Sequence, residues 1–125
     1  MNTNLRNYAV AARSTDTHGR VMCHVRHHHF IADGPVQNGA PGEAITPAEL
    51  FLTGIAACGV ELVQSFAKAD AVPLRAISVD VSGMMDRSKP VRTDVSVMNS
   101  VRVKFDLAGV TAEQGNALID RFKRM

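Results

Sequence analysis

Tryptophan is missing from this 125-residue chain, aromatic residues make up only 5% of it, and there are two cysteines. With so few aromatics, and basic side chains scattered along the chain, base-stacking platforms cannot be built and nucleic acid is not an expected partner. Cys23 and Cys58 are too few for a disulfide scaffold and match no zinc-binding spacing, so any special chemistry belongs to one or both thiols. Charge of one sign is also lacking: fourteen Lys plus Arg against twelve Asp plus Glu leave a formal charge of +2. The opening "MNTNLRNYAV" holds no apolar run of signal-peptide length, and the greasiest stretch, 50–63, is interrupted by Thr53, Gly54 and Glu61. The expectation is a cytoplasmic protein with no membrane contact. Internal repeats and low-complexity segments are absent. What remains is 46% apolar and 21% charged, the balance of a folding chain whose length suits one domain over 1–125.

Along the chain, "NYAVAARS" (7–14) and "GRVMCHVRHHHFIAD" (19–33) read as two strands of an N-terminal hairpin over 7–33, turned at "TDTHG". In the second strand the period of two puts Val21, Cys23 and Val25 on one face and Met22, His24 and Arg26 on the other. "GPVQNGAPGEA" gathers glycine and proline, which predicts an exposed, mobile loop over 34–46 without regular structure. "TPAE" from Thr46 is a capping box with proline at the first helical position, and predicts a central helix over 47–69. Leu50, Phe51, Ile55, Cys58, Leu62, Val63 and Phe66 recur at helical spacing over most of its circumference, so burial on several sides is expected. Alternation over 75–83, a turn at "DRSKP" and almost wholly apolar odd positions from Val91 to Leu107 predict an antiparallel strand pair over 75–107, the second member starting as early as Val91 and running unbroken or breaking near Asn99. Thr111 and Gln114 open a C-terminal helix over 111–125 whose buried stripe is Leu118, Ile119 and Phe122. The fold class is therefore α+β.

Two readings compete at Cys58: a small core residue among alanines, or a reactive thiol. It lies about three helical turns after Pro47, beyond the reach of the helix dipole. Glu61 stands one turn on, and a carboxylate there disfavours a thiolate unless a cation intervenes. Glu49 is about 180° around the helix from Cys58 and reads first as the capping-box carboxylate. Arg20 beside Gly19 and Arg26 in the polar row are the candidate cations; each also reads as a plain solvated side chain. "RHHHF" puts His27 and His29 on one strand face with His28 opposite, but nothing completes a set of four ligands, so no metal is expected.

These segments carry a resemblance: "DGP" at 33–35, the glycine-rich loop, "TPAELFLTGIAAC" at 46–58, "VDVSG" with "VRVKFDLAG", and a last helix opened by "GVTAEQ". On them the chain resembles the OsmC/Ohr family of stress-induced thiol peroxidases across nearly its whole length. The resemblance implies an OsmC-like α+β fold, with antiparallel sheets around a long central helix and two chains intertwined as a homodimer. It implies no cofactor. Cys58 matches the cysteine that attacks an organic hydroperoxide or hydrogen peroxide and becomes a sulfenic acid. The family's second cysteine follows the final helix in a Cys-Pro context, where this sequence reads "RFKRM". Resolution then falls to an external thiol or dithiol, or to Cys23, and a chain continuing past Met125 into a cysteine and a strand would restore the two-cysteine scheme. Organic hydroperoxide reductases carry a glutamate where this chain has Ala48; Glu49 matches a broader, less characterised branch. Arg20 sits like the family's hairpin arginine, with Arg26 as the alternative. The expected function is a thiol-dependent peroxidase acting through Cys58, with Arg20 and Glu49 as its partners. The alternative is a non-catalytic relative that binds a small apolar ligand at the dimer interface.

Overall fold

A computed structural model describes residues 4–94 and 96–124 of the chain. They form two compact units, one up to Leu50 and one from Phe51.

The first unit is a three-stranded antiparallel meander of β1 (Ala11–Ser14), β2 (Arg20–Val25) and β3 (His28–Asp33), with β2 in the middle. The long strand expected over 19–33 is thus two strands. Val25 pairs with His28, and Arg26 turns the chain between them at a φ of 54°. That left-handed conformation is uncommon for a residue with a Cβ, and the turn carries none of the glycine or asparagine that normally announces one. The first strand is also shorter than 7–14, starting at Ala11.

After Asp33 the chain does not become a free loop, contrary to expectation. A 3-10 turn spans Val36–Asn38, Gly34 N–H donates to Gly19 O at 2.8 Å, and Asp33 N–H donates to Ile45 O at 3.1 Å. Ala40 is buried against Gly19 and Gly34; a Cβ on Gly19 would stand 2.3 Å from that of Ala40. Gly19 also has a φ of 80°, so both its backbone and its neighbour demand glycine. The lock is Asp33, fully buried at the end of β3. Arg20 donates to it through Nε (2.8 Å to Oδ1) and Nη2 (2.9 Å to Oδ2), and the backbone N–H groups of Glu43 and Ala44 donate to Oδ2 at 3.0 and 2.9 Å. Four donors make a buried carboxylate tolerable, and together they tie the returning loop to the sheet.

In the second unit, α1 (Pro47–Ala69) continues from Phe51 and is joined by β4 (Ala76–Met84), β5 (Ser100–Ala108) and α2 (Ala112–Lys123). β4 and β5 pair antiparallel from Ala76↔Ala108 to Met84↔Ser100. The alternation from Val91 to Asn99 therefore does not make a strand; that stretch is irregular among the described residues, and Val95 lies outside them. Ile77, Val79, Val81, Val103, Phe105 and Leu107 are half-buried, while Ser78, Asp80, Ser82, Arg102, Lys104 and Asp106 face water, as a one-sided sheet requires. The core is Val63, Phe66, Ala67 and Leu118, with Leu74, Ile77, Phe105 and Phe122 packed around it. Gly59 lets α1 approach closely: a Cβ there would meet Phe105 and Val79 at 3.4 Å. The Thr111–Gln114 capping box opens α2, with both reciprocal hydrogen bonds present. Met125 lies outside the described residues.

α1 is long and apolar enough to cross a membrane by length and composition, yet little of it is buried. Only Gly59, Val63, Phe66 and Ala67 are buried along it, and Phe51 is 60% exposed. The expectation of burial on several sides fails within one chain: the β4–β5 sheet and α2 supply apolar surface for one side of the helix only.

Gly19→Ala should lower stability by at least about 2 kcal/mol, the left-handed backbone and the overlap with Ala40 acting together, as measured by urea unfolding. Asp33→Asn should remove hydrogen-exchange protection from the Glu43 and Ala44 amides while leaving the α2 amides protected; unchanged protection at both would show that Asp33 does not tie the loop.

Candidate functional site

Cys58 is exposed on α1. Its neighbour Gly59 is the residue that turns under toward the sheet, and one step of 100° separates a buried position from an open one. The core reading of Cys58 is therefore overturned within a single chain. Phe51, Gly54, Cys58, Glu61 and Ser65 all face outward and follow one another at helical spacing, making an exposed stripe. A Cβ on Gly54 would meet nothing within 4 Å, so the stripe is flat and open beside the thiol. Glu61, one turn on, accepts a hydrogen bond from Ser65 Oγ on Oε1 at 3.3 Å. Among the described residues of this unit no side chain hydrogen-bonds the thiol.

Glu49 does what its capping position demands. Thr46 N–H and Oγ1–H both donate to its Oε1 at 2.9 Å, and Glu49 N–H donates to Thr46 Oγ1 at 3.4 Å. The backbone and then the side-chain bond from Thr46 hold the Glu49 carboxyl below its usual pKa.

Arg20 is the more constrained of the two candidate cations. Besides Asp33, its Nη2 donates to Glu43 Oε1 at 3.0 Å. The bonds to Asp33 and then Glu43 push the guanidinium further above its already high pKa. Asp33 is held well below the usual carboxylate range, chiefly by Arg20, against the opposing effect of its burial. The two acids differ in one respect that matters: Asp33 is 0% exposed and Glu43 77%. The bond to Glu43 is the replaceable one, because a solvated carboxylate loses little on release. Arg26 sits instead in the β2–β3 turn, exposed, not in a polar strand row.

Cys23 lies half-buried at the centre of β2, opposite Ala12 on one side and Phe30 on the other. The histidines also regroup. His27 belongs to the turn, and His29 stands across the ladder from His24 with ring centroids 4.7 Å apart. Among the described residues no three His, Cys, Asp or Glu side chains come together as a metal site would require. The functional group that residue-by-residue reading missed is Asp33. Its signal was an acid closing an otherwise apolar strand end, which falls opposite Arg20 once the hairpin turn is placed at Arg26.

Comparison with known proteins bears on the chain as a whole. No curated protein matches its sequence. Among solved structures it is similar to an OsmC-like protein from Mycoplasma pneumoniae, at 15% identity and a TM-score of 0.76, over 92% of this chain and 79% of that one. An organic hydroperoxide resistance protein from Elizabethkingia anophelis matches at 18% identity and a TM-score of 0.75, over 96% and 82% of the two chains. An organic hydroperoxide resistance protein OsmC from Legionella pneumophila, also described as a predicted redox protein, matches at 20% and 0.70, over 93% and 81%. At these identities the likeness shows the fold. The family model described as OsmC-like protein matches residues 40–125, from the loop that returns to Asp33 through Cys58 to the end of the chain, and on that match the protein belongs to the OsmC-like family.

Proposed function

We propose that this protein is a thiol-dependent peroxidase that reduces organic hydroperoxides or hydrogen peroxide through Cys58. The observation that carries the reading is the exposure of Cys58 on an open face of α1, within the segment that makes the chain an OsmC-like protein. Relatives of the same fold are named for organic hydroperoxide resistance. In the proposed reaction the Cys58 thiolate attacks the terminal peroxide oxygen and the O–O bond breaks. The alcohol, or water when the substrate is hydrogen peroxide, leaves after taking up a proton, and Cys58 becomes a sulfenic acid. An external thiol then condenses with the sulfenic acid, releasing water, and a second thiol reduces the mixed disulfide. The two electrons come from that reductant. Cys23, in the middle of its sheet, is the less accessible resolving thiol.

A thiolate is the nucleophile and needs a nearby positive charge. Arg20 is the better candidate: it is already oriented by Asp33, and its bond to exposed Glu43 can be exchanged for a bond to sulfur. Arg26, in an exposed turn with no such anchor, is the weaker one. Glu49 serves the site by fixing the start of α1.

The second part of the proposal is a homodimer. A stripe containing Phe51, Gly54 and Cys58 on an apolar helix is the surface a second copy covers, and Gly54 permits close approach of another helix. No cofactor, nucleic acid or membrane takes part in this reading, and a cytoplasmic location follows from the chemistry of reduced thiols.

Intact mass measurement of the reduced protein after one equivalent of an organic hydroperoxide should show one added oxygen, mapped to Cys58, and Cys58→Ser should abolish both the addition and peroxide consumption with dithiol. Loss of two hydrogens instead would mean that Cys23 resolves Cys58; no change would sink the peroxidase reading and leave ligand binding. Sedimentation should give twice the 13.5 kDa chain mass, and Phe51→Lys should weaken association about tenfold or more. A wild-type monomer at micromolar concentration, or a protein that floats with lipid vesicles, would overturn the dimer.

A further inference from the structure

We propose that His24 and His29, with Met22 beside them, bind one copper(I) ion on one face of the three-stranded sheet, a site separate from Cys58. Residues paired directly across an antiparallel ladder lie on the same face, with Cβ atoms about 4.5–5.5 Å apart. His24↔His29 and Met22↔Ile31 are such pairs, so the period of two places His24, His29 and Met22 together. The rings of His24 and His29 already stand 4.7 Å apart, tilted by 48°. His29 is exposed and free to swing. With each nitrogen about 2.0 Å from a shared ion, rings this close meet it at a bent angle, which leaves room for a third donor. Met22 is two residues from His24 along β2 and diagonal to His29, a separation that long side chains span.

Two observations beyond proximity point to a ligand. Nδ1 of His24 is buried and, among the described residues, has no hydrogen-bond partner. An orphaned buried nitrogen is costly, and an ion shared with His29 would take up its lone pair. The turn is the other observation. Arg26 holds a φ of 54° where glycine or asparagine would be at ease, and such outliers cluster where the surrounding structure has a use for them. Here the tight turn fixes the register, and a slip of one residue would send one of the two histidines to the opposite face.

The donors select the ion. Two imidazoles and a thioether are neutral. Asp33, the carboxylate among the paired residues of this face, stands at the far end of the ladder, committed to Arg20 and to two backbone N–H groups. A divalent ion would keep its whole charge here, and zinc would lack its tetrahedral set. Copper(I) carries a single charge, accepts linear or trigonal coordination, and is favoured by soft thioether sulfur.

The test is anaerobic titration with copper(I), against the chromophoric chelator bicinchoninate, of the Cys23→Ala/Cys58→Ser variant, in which no thiol competes. One copper per chain is expected. In that background His24→Gln and His29→Gln should each weaken binding by at least about tenfold, as loss of even an outer partner does at other metal sites, and Met22→Leu by a smaller factor. His28→Gln, on the opposite face, should change nothing. Circular dichroism reports whether the thiol-free variant has folded. The wild-type chain gives a second readout that does not depend on that variant: silver(I), a soft diamagnetic stand-in, should shift the ring nitrogen resonances of His24 and His29 even where Cys58 also takes up metal. Because the titrated variant lacks Cys58, the outcome is independent of the peroxidase reading. Absence of binding to folded thiol-free protein, an equal loss with His28→Gln, ring resonances of the wild type unmoved by silver(I), or zinc(II) held more tightly than copper(I) would each overturn the proposal.

Discussion

One helix carries more apolar surface than its own chain covers, and the rest of the second unit is arranged around that excess. α1 presents Gly59, Val63, Phe66 and Ala67 to the sheet and to α2, and burial of that side is what holds β4, β5 and α2 together. Phe51 and its outward neighbours remain in water. Apolar surface is costly to leave hydrated, at roughly 25 cal/mol per Å², so a helix so composed calls for a cover. Gly59 sets the division between the two sides: lacking a side chain, it brings the helix down onto Val79 and Phe105, which fixes the rotation of α1 and turns its neighbour Cys58 outward.

The first unit solves a different problem by electrostatics. Its three short strands and a glycine- and proline-rich loop offer little apolar material; Ala32 and Ala40 are the buried hydrophobic residues there. A buried carboxylate compensates. Asp33 costs desolvation, but it gathers a guanidinium and two backbone N–H groups from a segment ten residues on, which ties the loop to the end of β3. The charge supplies specificity where hydrophobic packing is thin, and losing any donor would leave an uncompensated buried anion. Gly19 and Gly34 then give Ala40 room to seat against the sheet.

How much of this was legible in the sequence follows from the range of the forces involved. Both helices could be read because capping boxes are local: Thr46 with Glu49 and Thr111 with Gln114 sit three residues apart and mark their own positions. The β4–β5 ladder could be read from alternation, but the same alternation misled after Val91: among the described residues β4 ends at Met84 and its ladder reaches no further than Ser100. The Arg26 turn was hidden because no residue type there favours a positive φ; cross-strand pairing of β2 with β3 imposes it. The Asp33 lock was hidden for a related reason. Arg20 and Asp33 are thirteen residues apart and meet only when that turn is placed correctly. The exposure of Cys58 depends on which side of α1 the sheet takes, which helical periodicity alone leaves open when apolar residues surround the helix.

Covering the stripe and activating its thiol pull in opposite directions. Apolar surface laid over a cysteine disfavours the thiolate, and a nearby carboxylate such as Glu61 adds to that effect. Ser65 takes up part of the Glu61 carboxylate, but a neutral hydroxyl does not supply positive charge. In the proposed peroxidase, the surface that closes over Cys58 must therefore bring a cation with it, or closure would silence the thiol. Arg20 has the features such a cation needs: a buried carboxylate that keeps it oriented and a solvated one that it can exchange. On the proposed reading assembly and reactivity are one event: a second copy that covers the apolar side of α1 would also have to complete the electrostatics of the thiol. An isolated chain would expose Cys58 to oxidants without activating it, whereas an assembled one would restrict access and raise reactivity together.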